Sequence, residues 1–205
     1  MSPAKTAPSE RILAAAFELF ARRGFDEVTM TDIAAAAGVA RATVFNHFRS
    51  KHALVVAITA SILNQYRDLL DGALADETTP TSTLLRDLFE AMGKGIESER
   101  HFFRGVFREL VRVQVGLDES GAAQRAAGET SARLVRLIAR GQARGDLTTE
   151  VSAVALTDAL EALTSGTITQ WLYRDAVEPL TPRMRDAIDV FLIPVERTPR
   201  TRRSR

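Results

Sequence analysis

The sequence predicts an all-α protein, and three observations carry that reading. Apolar residues recur at helical spacing, and no strict alternation runs long enough for a strand. Gly24, Gly38, Gly145 and Pro179 to Pro182 punctuate the periodic runs. The 205 residues are 45% hydrophobic and 26% charged, the make-up of a globular chain rather than a disordered one, with room for one domain or two small ones.

About nine helices are expected. In the first, Ser9 precedes Glu10, and Ile12, Leu13, Ala16, Phe17 and Phe20 share one face. Gly24 ends it, after Arg22 and Arg23 in a last turn where cations suit the helix dipole. Thr29 and Asp32 form a capping-box pattern for a second helix to Ala37, and Gly38 suits the tight left-handed turn that follows. A third short helix covers about Ala40 to His47, and Ser50 caps a fourth running to about Leu74. The polar stretch 76–82 reads as a linker. Further helices are expected at 83–98, 101–115, 122–144, 152–174 and 182–193, with residues 1–8 and 196–205 as disordered ends.

Composition excludes several functions. The chain has no cysteine, so disulfides, thiolate metal sites and cysteine nucleophiles are ruled out, and His47, His52 and His101 alone make a poor zinc site. No nucleophile elbow, phosphate loop or metal-ligand pair appears, so neither an enzyme nor a cofactor is expected. No apolar run approaches the 18 residues of a membrane span, and Glu18 cuts the stretch from Ile12 to Phe17, which lacks a cleavage site. A cytoplasmic protein is expected. The net charge of +1 is uneven: residues 1–53 carry seven basic and five acidic side chains, 54–193 carry 15 and 20, and 194–205 carry five and one. A basic start suits a polyanion, although a charge this small also suits a solvated face.

Residues 29–48, TMTDIAAAAGVARATVFNHF, have the anatomy of a helix-turn-helix. Ile33, Val39, Val44 and Phe48 supply apolar packing, and Ala34 is small where the backbones approach. Arg41, Ala42, Thr43, Phe45, Asn46 and His47 are left pointing away from the core, a mixture of groups that read base edges and hold phosphates. A plain helical hairpin would show the same polar face.

The surrounding residues add a resemblance. The segment from Glu10 to Val56 resembles the DNA-binding domain of the TetR family of bacterial transcriptional regulators. The match runs through RILAAAFELF at 11–20, GFDEVTMTDIA at 24–34, Gly38-Val39, RATVFNHF at 41–48 and Ser50-Lys51. It implies a DNA-binding domain over 9–53, joined to an effector-binding and dimerisation domain over 54–195. It also implies a ligand-responsive regulator, a repressor on a pseudo-palindromic operator. On this resemblance Arg41 and Ala42 read bases, and Thr43, His47 and Lys51 hold phosphates. Thr29 and Thr31 touch the backbone, and Asn46 addresses a base or a phosphate. Two positions depart from the family. Phe45 stands where many members have tyrosine, so it keeps only an apolar contact, and Ala40 replaces the usual cap of the third helix.

Beyond this segment the resemblance rests on helix count and on GQARGDL at 141–147. Ala155, Ala159, Ala162, Gly166 and Thr169 make a ridge of small residues on one helix, with Leu156, Leu160, Leu163 and Thr167 as a second stripe. With Ile188 and Phe191 of the last helix, the ridge is expected at a homodimer interface; packing of both stripes within one monomer is the alternative. Phe89, Met92, Phe103, Phe107 and Trp171 are candidate walls of a cavity for a mostly apolar effector, and they equally suit a plain core. Arg104, Arg108 and Arg112 read as a solvated stripe with Glu109, and the five arginines from Arg197 to Arg205 as a solvated tail or a nonspecific hold on DNA. Another class of function stays open: an all-helical small-molecule carrier with a vestigial DNA-binding shape.

Overall fold

The computed structural model describes residues 7–114, 122–174 and 177–197. Among these residues it has ten helices and no strand: α1 (Pro8–Glu27), α2 (Met30–Ala37), α3 (Arg41–His47), α4 (Lys51–Ala75), α5 (Thr81–Ser98), α6 (Arg100–Gly105), α7 (Phe107–Gln114), α8 (Ala122–Arg144), α9 (Ala153–Tyr173) and α10 (Leu180–Leu192). Among the described residues no helix is long and apolar enough to cross a membrane. No group of three or more metal-ligating side chains comes together there either.

The helices arise largely as their sequences dictate, with shifts at the ends. α1 starts before Ser9, because Pro8 takes its first position, where the missing N–H costs nothing. Gly24 interrupts it at φ 77°, and Phe25 to Glu27 add one more turn. Ser152 caps α9 by accepting from the Ala155 N–H at 3.2 Å. Pro182 lies inside α10 rather than before it, in the first turn, where proline is tolerated.

The single helix expected over 101–115 is two. The chain breaks at Val106 (φ −115°, ψ 11°), where Gly105 meets α1. A Cβ on Gly105 would overlap the Phe20 carbonyl oxygen and stand 3.2 Å from the carbonyl carbon. The backbones touch there, and only glycine leaves room.

The chain divides into two compact units, residues 1–64 with 99–126 and residues 65–98 with 127–205. In the first, α6 lies on α1, and Phe102 stacks on Phe17 with ring centroids 4.3 Å apart. Ile12, Ala16, Phe20, Ile33, Val44, Leu54 and Val106 are buried with them. Arg108 pairs with Asp26 across this packing. The side chains of Leu110 and Arg112 lie outside the described residues.

In the second unit α10 packs on α5 and α9 around Leu85, Phe89, Leu160, Trp171, Met184 and Ile188. Arg86 bonds Asp189 at 2.8 Å and Glu196 at 3.0 Å, and the Thr81 N–H and hydroxyl both donate to Asp146 at 3.1 Å. The Arg197 N–H donates to the Asp146 carbonyl at 2.8 Å, so Glu196 and Arg197, expected at the start of a disordered end, are bound here. The expectations for residues 1–6 and for the remaining arginine-rich tail, 198–205, lie outside the described residues.

The contact at Gly105 predicts that Gly105→Ala destabilises the protein by about 1–3 kcal/mol, the usual cost of overpacking. Gly95→Ala, in α5 with open space where the methyl would go, should instead stabilise by about 0.5–1 kcal/mol. Denaturant unfolding of the two variants checks both signs.

Candidate nucleic-acid interface

α2 is fixed at both ends by its own residues. The Thr29 hydroxyl accepts from the Asp32 N–H at 3.1 Å, and the Thr29 N–H donates back to the Asp32 carboxylate at 2.8 Å. Gly38 closes the helix in the left-handed region at φ 62°, with its N–H on the last carbonyls. α3 then begins at Arg41 without a side-chain cap, as its Ala40 predicts.

Ile33, Ala34 and Val44 are buried, and Val39 and Phe48 are half-buried. On the other side Arg41, Ala42, Asn46 and His47 are exposed, Phe45 is 38% exposed, and Thr43 is half-buried. The Arg41 guanidinium carbon lies 5.3 Å from the centre of the Phe45 ring. Phe45 therefore supports the cation beside it, a role readable in principle from an arginine and a phenylalanine four apart on one helix.

Thr31 is exposed at the start of α2, and Thr29 spends its hydroxyl in the cap. Ser50 caps α4 by accepting from the Ala53 N–H at 3.1 Å. Lys51 donates to the Phe25 carbonyl at 2.6 Å and lies 4.5 Å from the centre of the Phe25 ring. Its ammonium thus ties α4 to the end of α1, a long-range contact that no local pattern announces. His52 Nδ1 lies 3.0 Å from the Glu109 carboxylate.

The other candidate residues are spread across the two units. Phe89 and Trp171 are buried and Met92 half-buried in the second unit, and the Trp171 indole N–H donates to the Glu178 carbonyl at 2.6 Å. Phe103 and Phe107 fall instead in the first unit, because α6 packs on α1. Phe103 sits edge-on to Phe102, and Phe107 lines a cleft of about 120 Å³ with Phe25, Gly105, Val106 and Glu109. Ala155, Ala159 and Ala162 are exposed along α9, and Gly166 faces open space. Ile188 and Phe191 turn instead into the second unit's core, while Val190 (63% exposed) and Ile193 (76%) stand out, as Val154 (54%) does near the start of α9.

A buried inner face, a glycine turn and an outward polar face define a helix-turn-helix module of the DNA-binding class. Residues 12–58 match the model of the bacterial regulatory proteins of the tetR family. An uncharacterised helix-turn-helix-type regulator of Bacillus subtilis, YvdT, is 38% identical over 65 residues, 32% of this chain and 34% of that protein. The chain thus spans about a third of that relative. The helix-turn-helix-type transcriptional repressor BepR of Brucella suis is 26% identical over 167 residues, 80% of each chain. Among solved structures, the Thermus thermophilus FadR, a TetR-family repressor in complex with lauroyl-CoA, superposes with a TM-score of 0.69 at 26% identity, over 93% of this chain and 97% of that one. The chain belongs to the TetR family, whose members are transcriptional regulators rather than enzymes.

The cap of α2 makes the module sensitive to acid. The backbone N–H and hydroxyl of Thr29, with Arg23 nearby, hold the Asp32 carboxyl below the usual carboxylate range. A carboxyl lowered on folding contributes stability that is full above its unfolded value, about 4, and is lost as pH falls through the folded one. Asp32→Asn should therefore melt below wild type at pH 7, and the gap should close as pH drops below about 4. Thermal melts across that range check it.

Proposed function

We propose that the chain is a ligand-responsive transcriptional repressor that binds a pseudo-palindromic operator as a homodimer and is released by a small, mostly apolar effector. Residues 9–53 serve as its DNA-binding domain and 54–195 as its effector and dimer domain. The observation that carries the reading is α3: one buried side chain, Val44, holds it, and Arg41, Ala42, Phe45, Asn46 and His47 face outward. Arg41 and Ala42 sit at its start, where they address base edges; Thr43 and His47 fall to phosphates, Asn46 to either, and Thr29 and Thr31 to the adjacent backbone. Lys51 acts on the same surface by fixing where α1 and α4 meet.

The exposed ridge of Ala155, Ala159 and Ala162, with Gly166, supports a partner helix packed closely on α9. Val154, Val190 and Ile193 extend that surface, and Ile188 and Phe191 back it from within. Phe89, Met92 and Trp171 line the effector side, with Phe103 and Phe107 assigned from the first unit. A repressor among the relatives, and a neighbour solved with a long-chain acyl ligand, support both halves of the reading. α4 is common to both units and offers the route by which an effector alters DNA binding.

Selection of bound DNA from a random pool, followed by salt-dependent gel shifts, tests the function; absence of any selective shift would favour the carrier. Recognition helices should lie about 34–36 Å apart, or a multiple of that, on the selected site. Arg41→Ala should lose discrimination at one base pair per half-site, worth about 1–3 kcal/mol. Lys51→Ala should weaken all sequences alike and also lower the melting temperature. An unchanged order of preference for Arg41→Ala across single-base variants would remove it from base reading.

The open space at Gly166 predicts that Gly166→Leu leaves the monomer's helix content intact yet raises the dimer dissociation constant roughly tenfold or more, about 1.4 kcal/mol. Sedimentation of wild type and variant measures it; a wild-type monomer at micromolar concentration with intact operator binding would end the dimer reading.

A further inference from the structure

The second unit holds a polar group that its fold does not use. The Tyr66 hydroxyl oxygen, from the later part of α4, is shut off from solvent and has no hydrogen-bond partner among the described residues. Its ring meets the edge of Phe89 from α5, with centroids 6.3 Å apart. Across from it stands Glu161 of α9, close enough that its charge acts on the phenol, and the Ser131 hydroxyl of α8 donates to that carboxylate. Four helices of one unit thus contribute to a single apolar place with two oxygen acceptors in it.

The charges that act on this place are negative. Among the described residues Asp158 is the charged neighbour acting on Glu161, and no cation does. The arginines next in sequence are occupied: Arg67 pairs with Glu129, and Arg133 bonds Asp71 at 2.8 Å. Burial, and then Asp158, keep the Glu161 carboxyl above its ordinary range, while burial and then Glu161 push the Tyr66 phenol up. A buried donor or acceptor left unpaired is costly, and a ligand that pairs it recovers that cost.

We propose that the effector of this protein is an amphipathic organic amine, whose ammonium donates to the Glu161 carboxylate and the Tyr66 hydroxyl while its apolar body lies against Phe89. This rests on the effector reading above and specifies its chemistry. An ammonium offers up to three donors to the two acceptors, and the negative local field repels a carboxylate head.

Three probes with one apolar body test it on the full-length protein: octylamine, octanol and octanoate at pH 7.5, followed by the fluorescence of Trp171, the only tryptophan, and by calorimetry. Octylamine should bind at least about tenfold tighter than octanol, as a charge-assisted hydrogen bond in an apolar site does, and octanoate weakest. Glu161→Gln should erase the preference for amine over alcohol while leaving octanol affinity unchanged. As pH falls through the raised Glu161 value, the amine should lose its advantage. Tyr66→Phe should weaken octylamine several-fold without lowering the melting temperature, since it removes a hydroxyl the fold leaves unpaired.

Octanoate as tight as octylamine, binding of none of the three, or a preference that survives Glu161→Gln would overturn the proposal. So would a lowered melting temperature in Tyr66→Phe, which would mark the hydroxyl as part of the core. Gel shifts with the selected DNA separate this from the wider reading. Octylamine that binds with the expected preference but leaves DNA bound supports the site and counts against release by this effector.

Discussion

A helix of seven residues cannot hold itself in water. Helix nucleation costs more than two turns return, so α3 exists only because tertiary packing supplies what its own hydrogen bonds do not. It has no capping side chain, and it buries one residue fully, Val44. Everything proposed for its outward face depends on the frame beneath. The capping box and left-handed Gly38 fix α2 and the turn, the Lys51 ammonium on the Phe25 carbonyl fixes the exit, and contact at Gly105 seats α6 on α1. A base-reading arginine must be placed within a fraction of an ångström to make two hydrogen bonds at once, so rigidity here is a functional property.

α9 shows the opposite arrangement, a helix with apolar residues on two sides. Leu156, Leu160 and Thr164 face the core of their unit, while Ala155, Ala159 and Ala162 are exposed along the other side. A helix apolar all round ordinarily lies between two packed layers. Small residues on the outer side keep the exposed apolar area low in the monomer and still let a second backbone come close. The large groups that would give such a contact its strength are at the margins, in Val154, Val190 and Ile193, where exposure costs less than a continuous stripe would.

What the sequence announced was local, and what it hid was long-range. Thr29, Asp32, Gly38 and Ser50 act on backbone groups two or three residues away, and each is found in the role its pattern predicted. The outward set on α3 follows from the helix period once Val44 is inward. The break at Val106 could not be read the same way, because its partner, Phe20, is 85 residues distant and the signal is a single glycine. Nor could the periodicity of Phe103 and Phe107 say which core they join; α6 packs on α1 rather than among the later helices. For the same reason Ile188 and Phe191 gave a correct apolar face on α10 but no indication of which side of it looks outward.

The charge balance of the first 53 residues, +2, is too small by itself to hold a duplex. How the acidic groups are spent matters more than the sum. Glu18 pairs with Arg22, Asp26 with Arg108, and Asp32 with Thr29 and Arg23. Three of the five carboxylates in this segment are therefore neutralised by neighbours, while Arg41 and Arg49 stay exposed at the two ends of the α3 region. The pairing of Asp26 is made by Arg108, an arginine from outside the segment, so the field around α3 is set partly by α7. With few phosphate-binding cations to release counterions, selective binding must draw more on fitted contacts at α3 than on bulk attraction. A salt dependence shallower than that of strongly basic DNA-binding proteins follows from the same distribution.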